Sequence, residues 1–189
     1  MSFTRAELES FRGAEVPDLI GPACRLLFVG INPGLWTAAT GAHFARPGNR
    51  FYPALLAAGI IGRPIDPTDG MSDADRSYLV ERGVGITNLV PRATSKADEL
   101  TAQELTAGAD RLRVVVRDNA PRVVAIAGVT AYRTALGNRK AKKGKQPRGF
   151  EGAELWVVPN PSGLNAHETV ATLAASYREA AIEAGIVSG

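Results

Sequence analysis

An α/β fold with a mostly parallel central sheet is predicted by two features of this sequence. Apolar runs at residues 25–31, 122–127 and 155–158 have the length and composition of strands that are buried on both faces. Segments with capping residues and helical periodicity lie between these runs. Since strands alternate with helices, the strands are expected to run parallel. The 189 residues are enough for one domain, spanning residues 1–189.

Each element is supported by a local signal. Capping boxes begin at Thr4 and Thr101, Ser72 caps a further helix, and Gly59 and Gly83 each end one. The predicted helices lie at about residues 4–12, 50–58, 72–83, 101–120, 128–136 and 168–184. The predicted strands lie at residues 25–31, 84–88, 122–127 and 155–158, which makes a sheet of about four strands.

Two strands of this sheet end in loops of similar chemistry. Gly30-Ile-Asn-Pro-Gly34 follows the first strand and opens a predicted loop at residues 32–49, and Asn160-Pro-Ser-Gly163 follows the last strand. Ligands of open parallel sheets bind beyond the carboxyl ends of the strands. We therefore expect the functional site at the edge that carries these two loops.

The composition excludes several classes of protein. Apolar residues make up 45% and charged residues 22%, and no run of 18 apolar residues could span a membrane. The first ten residues lack an apolar signal core, so a cytoplasmic location is expected. One cysteine and two histidines exclude a disulfide framework, a cysteine-based zinc site and an iron–sulfur cluster, and no metal site is expected.

The positive charge of the chain is concentrated in one loop. Six basic residues and no acid lie between residues 137 and 150, whereas the other 16 basic residues are outnumbered by 19 acids. Such a loop is either a solvated connector or a contact to the phosphate backbone of a nucleic acid. Lys142, Lys143 and Lys145 are the candidates for that contact.

Common catalytic motifs are absent from the sequence, which directs attention to Asn32. There is no dinucleotide-binding glycine motif, no P-loop and no Gly-x-Ser-x-Gly elbow. Cys24 has no base beside it and is interpreted as a packing residue. Asn32 follows a buried strand, where asparagine commonly bonds its own turn. However, the same dipeptide recurs at Asn160-Pro161, and an amide at such a strand end can hold a water or donate to a developing anion.

Four short motifs occur in the order found in one enzyme family. The first is Gly30-Ile-Asn-Pro-Gly34, continued by Thr40-Gly41, Phe44-Ala45, Pro47 and Asn49-Arg-Phe51. The others are Gly85-Ile-Thr-Asn-Leu-Val90 with Arg92 and Thr94, then Gly144-Lys-Gln146, then Trp156-Val-Val-Pro-Asn-Pro-Ser-Gly-Leu164. Over about residues 25–180 the chain thus resembles the mismatch-specific uracil-DNA glycosylases, which include bacterial G:U-specific enzymes and thymine-DNA glycosylase.

This resemblance implies a fold and an activity. The fold is a three-layer α/β/α sandwich around a short, mostly parallel sheet, as in the uracil-DNA glycosylase superfamily. The activity is that of a monofunctional DNA-repair hydrolase: it flips out a uracil mispaired with guanine in duplex DNA and hydrolyses its N-glycosidic bond. The product is an abasic site for base excision repair. Duplex DNA is the implied partner, with no metal or organic cofactor and no membrane, and a monomer is expected.

The resemblance also implies roles for individual residues. Asn32 matches the catalytic asparagine, whose carbonyl would orient a water beneath the sugar C1′. Phe44 matches the aromatic on which the flipped base stacks, although a phenylalanine is more often a core residue. Leu164 matches the wedge that enters the duplex, unless it folds back onto the last helix. Candidate substrate-binding residues are Gly30, Ile31, Phe44, Thr37, Asn88, Asn160 and Ser162. Candidate DNA-binding residues are Gly163, Leu164, Asn165, Lys142, Lys143 and Lys145.

The sequence departs from the family pattern at several positions. The first motif contains no aspartate to act on the water, and a general base contributes roughly 10²–10⁴-fold in rate, so slow chemistry is expected. Asn165-Ala166-His167 follows Leu164, where the bacterial members continue with Ser-Arg. Trp36-Thr37 replaces a pair of small serines, and Asn88 replaces a lysine of some members. These changes put the substrate range in question.

Three alternatives stay open at this point. The first is a glycosylase of the same fold with a broader or different range of damaged bases, such as single-stranded uracil or hypoxanthine. The second is a DNA-binding module without catalysis, although a water-orienting Asn32 would then have no purpose. The third is a small-molecule hydrolase, against which the basic loop speaks.

Overall fold

A five-stranded sheet lies at the centre of the computed structural model, which describes residues 2–189. The strands are β1 Leu26–Gly30, β2 Val84–Asn88, β3 Val123–Ala127, β4 Gly144–Lys145 and β5 Glu154–Val158. Their order in the sheet is β2-β1-β3-β5-β4. The first three and β5 run parallel, and β4 pairs antiparallel with β5 at the edge. The prediction of a mostly parallel sheet is confirmed.

Helices cover both faces of the sheet. They are α1 Arg5–Glu9, α2 Leu35–Thr40, α3 Phe51–Ala57, α4 Asp73–Glu81, α5 Ala102–Asn119, α6 Val129–Ala135 and α7 Val170–Glu183, and a 3₁₀ turn spans Ala97–Glu99. Alternate residues of each strand enter opposite cores, because side chains alternate across a sheet. Leu26 and Phe28 pack with α3 and α7, whereas Leu27 and Val29 pack with α5 and α6. The architecture is the three-layer α/β/α sandwich that the resemblance implied.

Two elements occupy segments that the sequence predicted as loops. Helix α2 lies within residues 32–49 and strand β4 lies within the basic loop. The first was missed because its N-cap, Gly34, makes no side-chain capping bond. The second has two residues, too few for any alternation to show. The first predicted helix, 4–12, is also shorter than expected, since α1 ends at Glu9.

The parallel strands bring four loops to one edge. Gly30 pairs with Asn88, and Ala127 pairs with Val158, so the carboxyl ends of β1, β2, β3 and β5 lie side by side. Three of the four sequence motifs run into the loops that follow β1, β2 and β5, whereas the fourth, Gly144-Lys-Gln146, lies at β4. Within residues 2–189, no helix is long and apolar enough to cross a membrane.

Candidate active site

A cavity of about 140 Å³ opens at the carboxyl edge of the sheet. Its lining includes the predicted site residues Gly30, Ile31, Asn32, Thr37, Phe44, Asn88, Asn160, Ser162 and Leu164. Pockets for drug-sized ligands measure roughly 300–1,000 Å³. The smaller volume here is suited to one flat ring system.

The Asn32 side chain is held by its amide nitrogen. Nδ2 donates hydrogen bonds to Pro33 O at 3.1 Å, to Arg92 O at 3.0 Å and to Thr94 Oγ1 at 2.7 Å. The carbonyl oxygen Oδ1 makes no hydrogen bond to any residue in the described range 2–189. Asn32 therefore presents a fixed acceptor at the cavity, ready to bind a water or a ligand donor.

The loop after β2 supplies the acceptors that orient Asn32. Thr94, which is buried, donates its own hydroxyl to Lys96 O at 2.8 Å. Its backbone N–H donates to Pro33 O at 3.1 Å, so the two loops are joined directly. The sequence motif contained Thr94, but its function as a support for Asn32 became visible only in the fold.

Phe44 presents an aromatic ring at the cavity. Its ring stacks on Phe51 with the centroids 4.1 Å apart and the planes at 25°. Its backbone has a φ of 57°, in the left-handed region that residues other than glycine seldom adopt. Such conformations cost about 1–3 kcal/mol and persist where the surrounding structure fixes them. The strained loop holds this ring at the cavity wall.

Gly30 leaves space for a ligand beside Asn88. A Cβ atom at Gly30 would lie 2.5 Å from Asn88 Oδ1 and 3.4 Å from Phe44 Cζ. Any side chain at this position would therefore occupy the space between the amide and the ring. The glycine at the end of β1 is needed for this close approach.

His43 orients the Asn88 amide. His43 Nε2 lies 2.9 Å from Pro17 O, and because a carbonyl only accepts, Nε2 carries the proton of this bond. Burial lowers the pKa of His43 below its ordinary value of 6.5, so the ring is neutral at pH 7. Nδ1 is then an acceptor, and Asn88 Nδ2 donates to it over 3.4 Å. The amide oxygen consequently faces the space above Gly30.

Thr37 and Trp36 have different surroundings. Thr37 is 5% exposed and lines the cavity. Trp36 lies outside the cavity lining: its Nε1 donates to Thr68 O at 2.9 Å, and its ring meets Phe3 edge-on at 5.0 Å. Of this pair, Thr37 is the residue that lines the cavity.

Arg50 fastens the loop that carries Leu164. Its guanidinium donates to Ser162 O at 3.0 Å, to Asn165 O at 2.8 Å and to Glu168 O. Gly163 also packs closely, since a Cβ there would lie 2.7 Å from Gly48 O. The sequence motif included Arg50 but indicated no role for it.

Leu164 projects from this fastened loop. Its side chain is 65% exposed and lines the cavity rim. The alternative in which it folds back onto the last helix does not occur. Asn160 shapes the same loop, because its Oδ1 accepts from Ser162 N at 3.0 Å. Asn165 donates to Asn160 O at 3.3 Å and borders a neighbouring cavity.

The three candidate lysines of the basic loop have different environments. Lys143 pairs with Glu168 at 2.5 Å. Lys145 pairs with Glu154 at 3.1 Å and with Glu183 at 3.3 Å, and because β4 is antiparallel to β5 it lies away from the cavity edge. Lys142 is exposed. A phosphate contact by any of the three stays a prediction.

The cavity wall is free of acidic groups. Among the described residues that line it there is no aspartate or glutamate, whereas Arg46 and Lys96 are both present. No group of three or more His, Cys, Asp and Glu side chains within residues 2–189 is arranged to hold a metal ion. The lining can therefore supply a hydrogen-bond acceptor, a stacking surface and positive charge, without a carboxylate base.

Comparisons with known proteins bear on the family and on the fold. A family model of the uracil DNA glycosylase superfamily matches residues 17–183, which include every residue of the cavity wall. The fold is similar to a solution NMR structure from Methanosarcina acetivorans whose assignment as a uracil DNA glycosylase is provisional. The TM-score is 0.57 at 18% identity, over 89% of this chain and 97% of that chain. The structural likeness shows a shared fold.

Proposed function

The chain belongs to the uracil DNA glycosylase superfamily, and on that premise we propose that it hydrolyses the N-glycosidic bond of uracil mispaired with guanine in duplex DNA. The product would be an abasic site. The observation that carries the proposal is the Asn32 side chain, whose nitrogen is used by three protein acceptors while its oxygen stays free at the cavity.

Asn32 would act on the attacking water. Its Oδ1 accepts one water hydrogen and so aims a lone pair of the water oxygen at the sugar C1′. The C1′–N1 bond breaks as the sugar gains oxocarbenium character, and its electron pair leaves with the uracil anion. The water oxygen bonds to C1′, and the proton that it loses passes to the uracil anion or to solvent. An amide cannot take the water proton, so this arrangement orients the water without general-base assistance. A general base contributes a rate enhancement of roughly 10²–10⁴-fold, so its absence predicts slow turnover.

Asn88 would recognise the edge of the base. Uracil stacked on Phe44 has a donor at N3 and an acceptor at O4. With its oxygen directed over Gly30, the Asn88 amide can accept from N3–H, and its second N–H can donate to O4. Cytosine and adenine present the reverse pattern, so a fixed amide disfavours them.

Leu164 would fill the gap left in the duplex. An exposed leucine on a braced loop has the chemistry of an apolar wedge between base steps. Extruding a base costs a few kcal/mol and costs least when the base is mispaired. Uracil opposite guanine is therefore expected to be removed faster than uracil opposite adenine.

The Asn88 amide favours one further substrate. Hypoxanthine carries the same donor and acceptor pair, at N1 and O6, so hydrogen bonding alone would not distinguish it from uracil. The fit of its second ring in the 140 Å³ cavity then decides between the two bases. Hypoxanthine is the second candidate substrate.

Labelled duplexes containing G:U, A:U, G:T and G:hypoxanthine pairs, treated with alkali after incubation, test the proposal. We expect alkali-dependent breaks, fastest at G:U. A lack of base release from every duplex would contradict the proposed activity. Breaks that form without alkali would contradict a monofunctional enzyme.

A further inference from the structure

We propose that Arg46 and Lys96 form a phosphodiester-binding pair at the cavity mouth, which holds the DNA backbone beside the flipped nucleotide. The inference rests on the proposed function and adds to it the residues that position the backbone. Both side chains line the cavity, and they come from different loops: Arg46 follows β1 and α2, and Lys96 follows β2.

These two cations are available for an external ligand. Within residues 2–189, neither side chain forms an ion pair or donates a hydrogen bond to the protein. Of the two acids that follow Lys96 in sequence, Asp98 forms no ion pair with it, and Glu99 is engaged by Arg12 and by the Lys96 backbone N–H. Since no acid lines the cavity, nothing in its wall neutralises the two charges.

Three other cations near this edge are committed to protein partners. Arg92 pairs with Glu104 at 2.5 Å, and Lys143 pairs with Glu168 at 2.5 Å. Arg50 donates to three backbone carbonyls of the loop that carries the wedge. A phosphate that approached them would compete with these existing bonds, whereas Arg46 and Lys96 are free to bind it.

Each of the two cations lies on a loop that contacts a functional element of the site. The loop of Arg46 continues to Gly48, whose carbonyl abuts Gly163 next to the wedge. The carbonyl of Lys96 accepts from Thr94 Oγ1, which in turn accepts from Asn32 Nδ2. A backbone held by both cations would therefore be placed in register with both the wedge and the catalytic amide.

Binding of an undamaged G:C duplex, measured between about 50 and 200 mM salt, tests the pair. Arg46→Gln and Lys96→Gln should each weaken binding and flatten the log–log salt slope by up to roughly 0.9, and the double variant should add the two effects. A slope of 0.9 corresponds to about 3.5-fold in affinity over this range of salt. Single-turnover excision at sub-saturating enzyme should fall in proportion to the weakened binding.

Arg122→Gln is the matched control. Arg122 is exposed and precedes β3, at the opposite edge of the sheet, so its loss changes the net charge equally without touching the mouth. Unchanged slopes in both mouth variants, or an equal loss in Arg122→Gln, would overturn the proposal. A large fall in the single-turnover rate at saturating enzyme, with unchanged DNA affinity, would also overturn it, because the two cations would then act on the departing uracil.

The outcome is separable from the proposed function. If the wild type releases no base and the mouth variants still flatten the salt slope, the excision activity fails and the phosphate site stands. If the wild type excises uracil and the slopes do not move, the activity stands and this site fails.

Discussion

Asn32 and Asn88 are both held in orientation by neighbouring groups of the protein. The loop at Thr94 directs the first amide, and His43 with Pro17 directs the second. In each case the amide nitrogen bonds to the protein, which leaves the oxygen for the substrate side. At the level of single residues, we therefore expect substrate choice to depend on the residues that orient the two amides as well as on the amides themselves.

Protonation of His43 should reduce activity in acid. A proton on Nδ1 would face Asn88 Nδ2 as a second donor, which favours rotation of the amide and loss of the N3–H acceptor. Because the pKa of His43 lies below 6.5, the loss should begin below that pH and approach tenfold per unit at most. Single-turnover rates on a G:U duplex between pH 5 and 8 measure it.

His43→Gln is the matched variant, since glutamine stays neutral over this range. The charged groups nearest to His43 are Asp18, which pairs with Arg111, and Arg76. The loss of activity at acidic pH should be smaller in the variant than in the wild type. Parallel pH profiles of the wild type and the variant would show that His43 does not contribute to substrate recognition.

The same histidine affects stability. The unfolded chain accepts a proton near pH 6.5, but the buried ring resists it until a lower pH, so protons favour unfolding in this interval. The contribution of the neutral His43 ring to the free energy of unfolding is fully present above pH 6.5. It is lost as the pH falls through the pKa of His43 in the folded protein. Denaturation midpoints at pH 7.5 and 5.5 should therefore differ more in the wild type than in His43→Gln.

Thr37 should exclude the C5 methyl group of thymine. Forcing a methyl into a filled site costs roughly 1–3 kcal/mol, or about 5- to 200-fold in rate. We expect G:U to be processed at least about tenfold faster than G:T, and Thr37→Ala to narrow the gap. Trp36→Phe is the control, because Trp36 bonds Thr68 outside the cavity. An unchanged rate ratio in Thr37→Ala would place the selection elsewhere.

At the level of secondary-structure elements, the loop that carries Leu164 is held by the side chain of Arg50, the N-cap residue of α3. Arg50 and Leu164 should therefore act as a unit. Leu164→Ala should slow excision from duplex DNA by about tenfold or more while sparing single-stranded DNA, where there is no gap to fill. Arg50→Gln should reproduce this pattern, because the loop loses three hydrogen bonds.

A double-mutant cycle distinguishes bracing from general damage. If Arg50 acts through Leu164, the double variant should be little worse than the worse single variant. Additive losses, or equal losses on single-stranded DNA, would instead indicate a packing role. Arg50→Lys should restore part of the duplex rate, since an ammonium can still donate to the loop carbonyls.

At the scale of the whole molecule, charge is unevenly placed relative to the cavity. Lys145 is paired with two acids away from the cavity edge, whereas Lys142 is exposed near the start of β4. We predict that Lys142→Gln lowers the salt slope of DNA binding more than Lys145→Gln does. Equal slopes in the two variants would leave the basic loop as a solvated connector.

The sheet and most of the cavity wall could be predicted from the sequence, and the supporting contacts could not. Continuous apolar runs mark buried strands, and the order of the strands brings their loops to one edge. The partners of Arg50, by contrast, are carbonyls 112 to 118 residues away, which have no side-chain signature. His43 looked like an isolated histidine because its acceptor, Pro17 O, is a backbone atom from another segment.

The single-turnover rate of Asn32→Ala on a G:U duplex tests the central claim most directly. We expect a loss of more than about tenfold, or 1.4 kcal/mol, because the water loses the fixed acceptor that orients it. Duplex binding should stay within about twofold, which also shows that the variant is folded. A variant that binds normally and keeps more than about a tenth of the wild-type rate would contradict the role of Asn32.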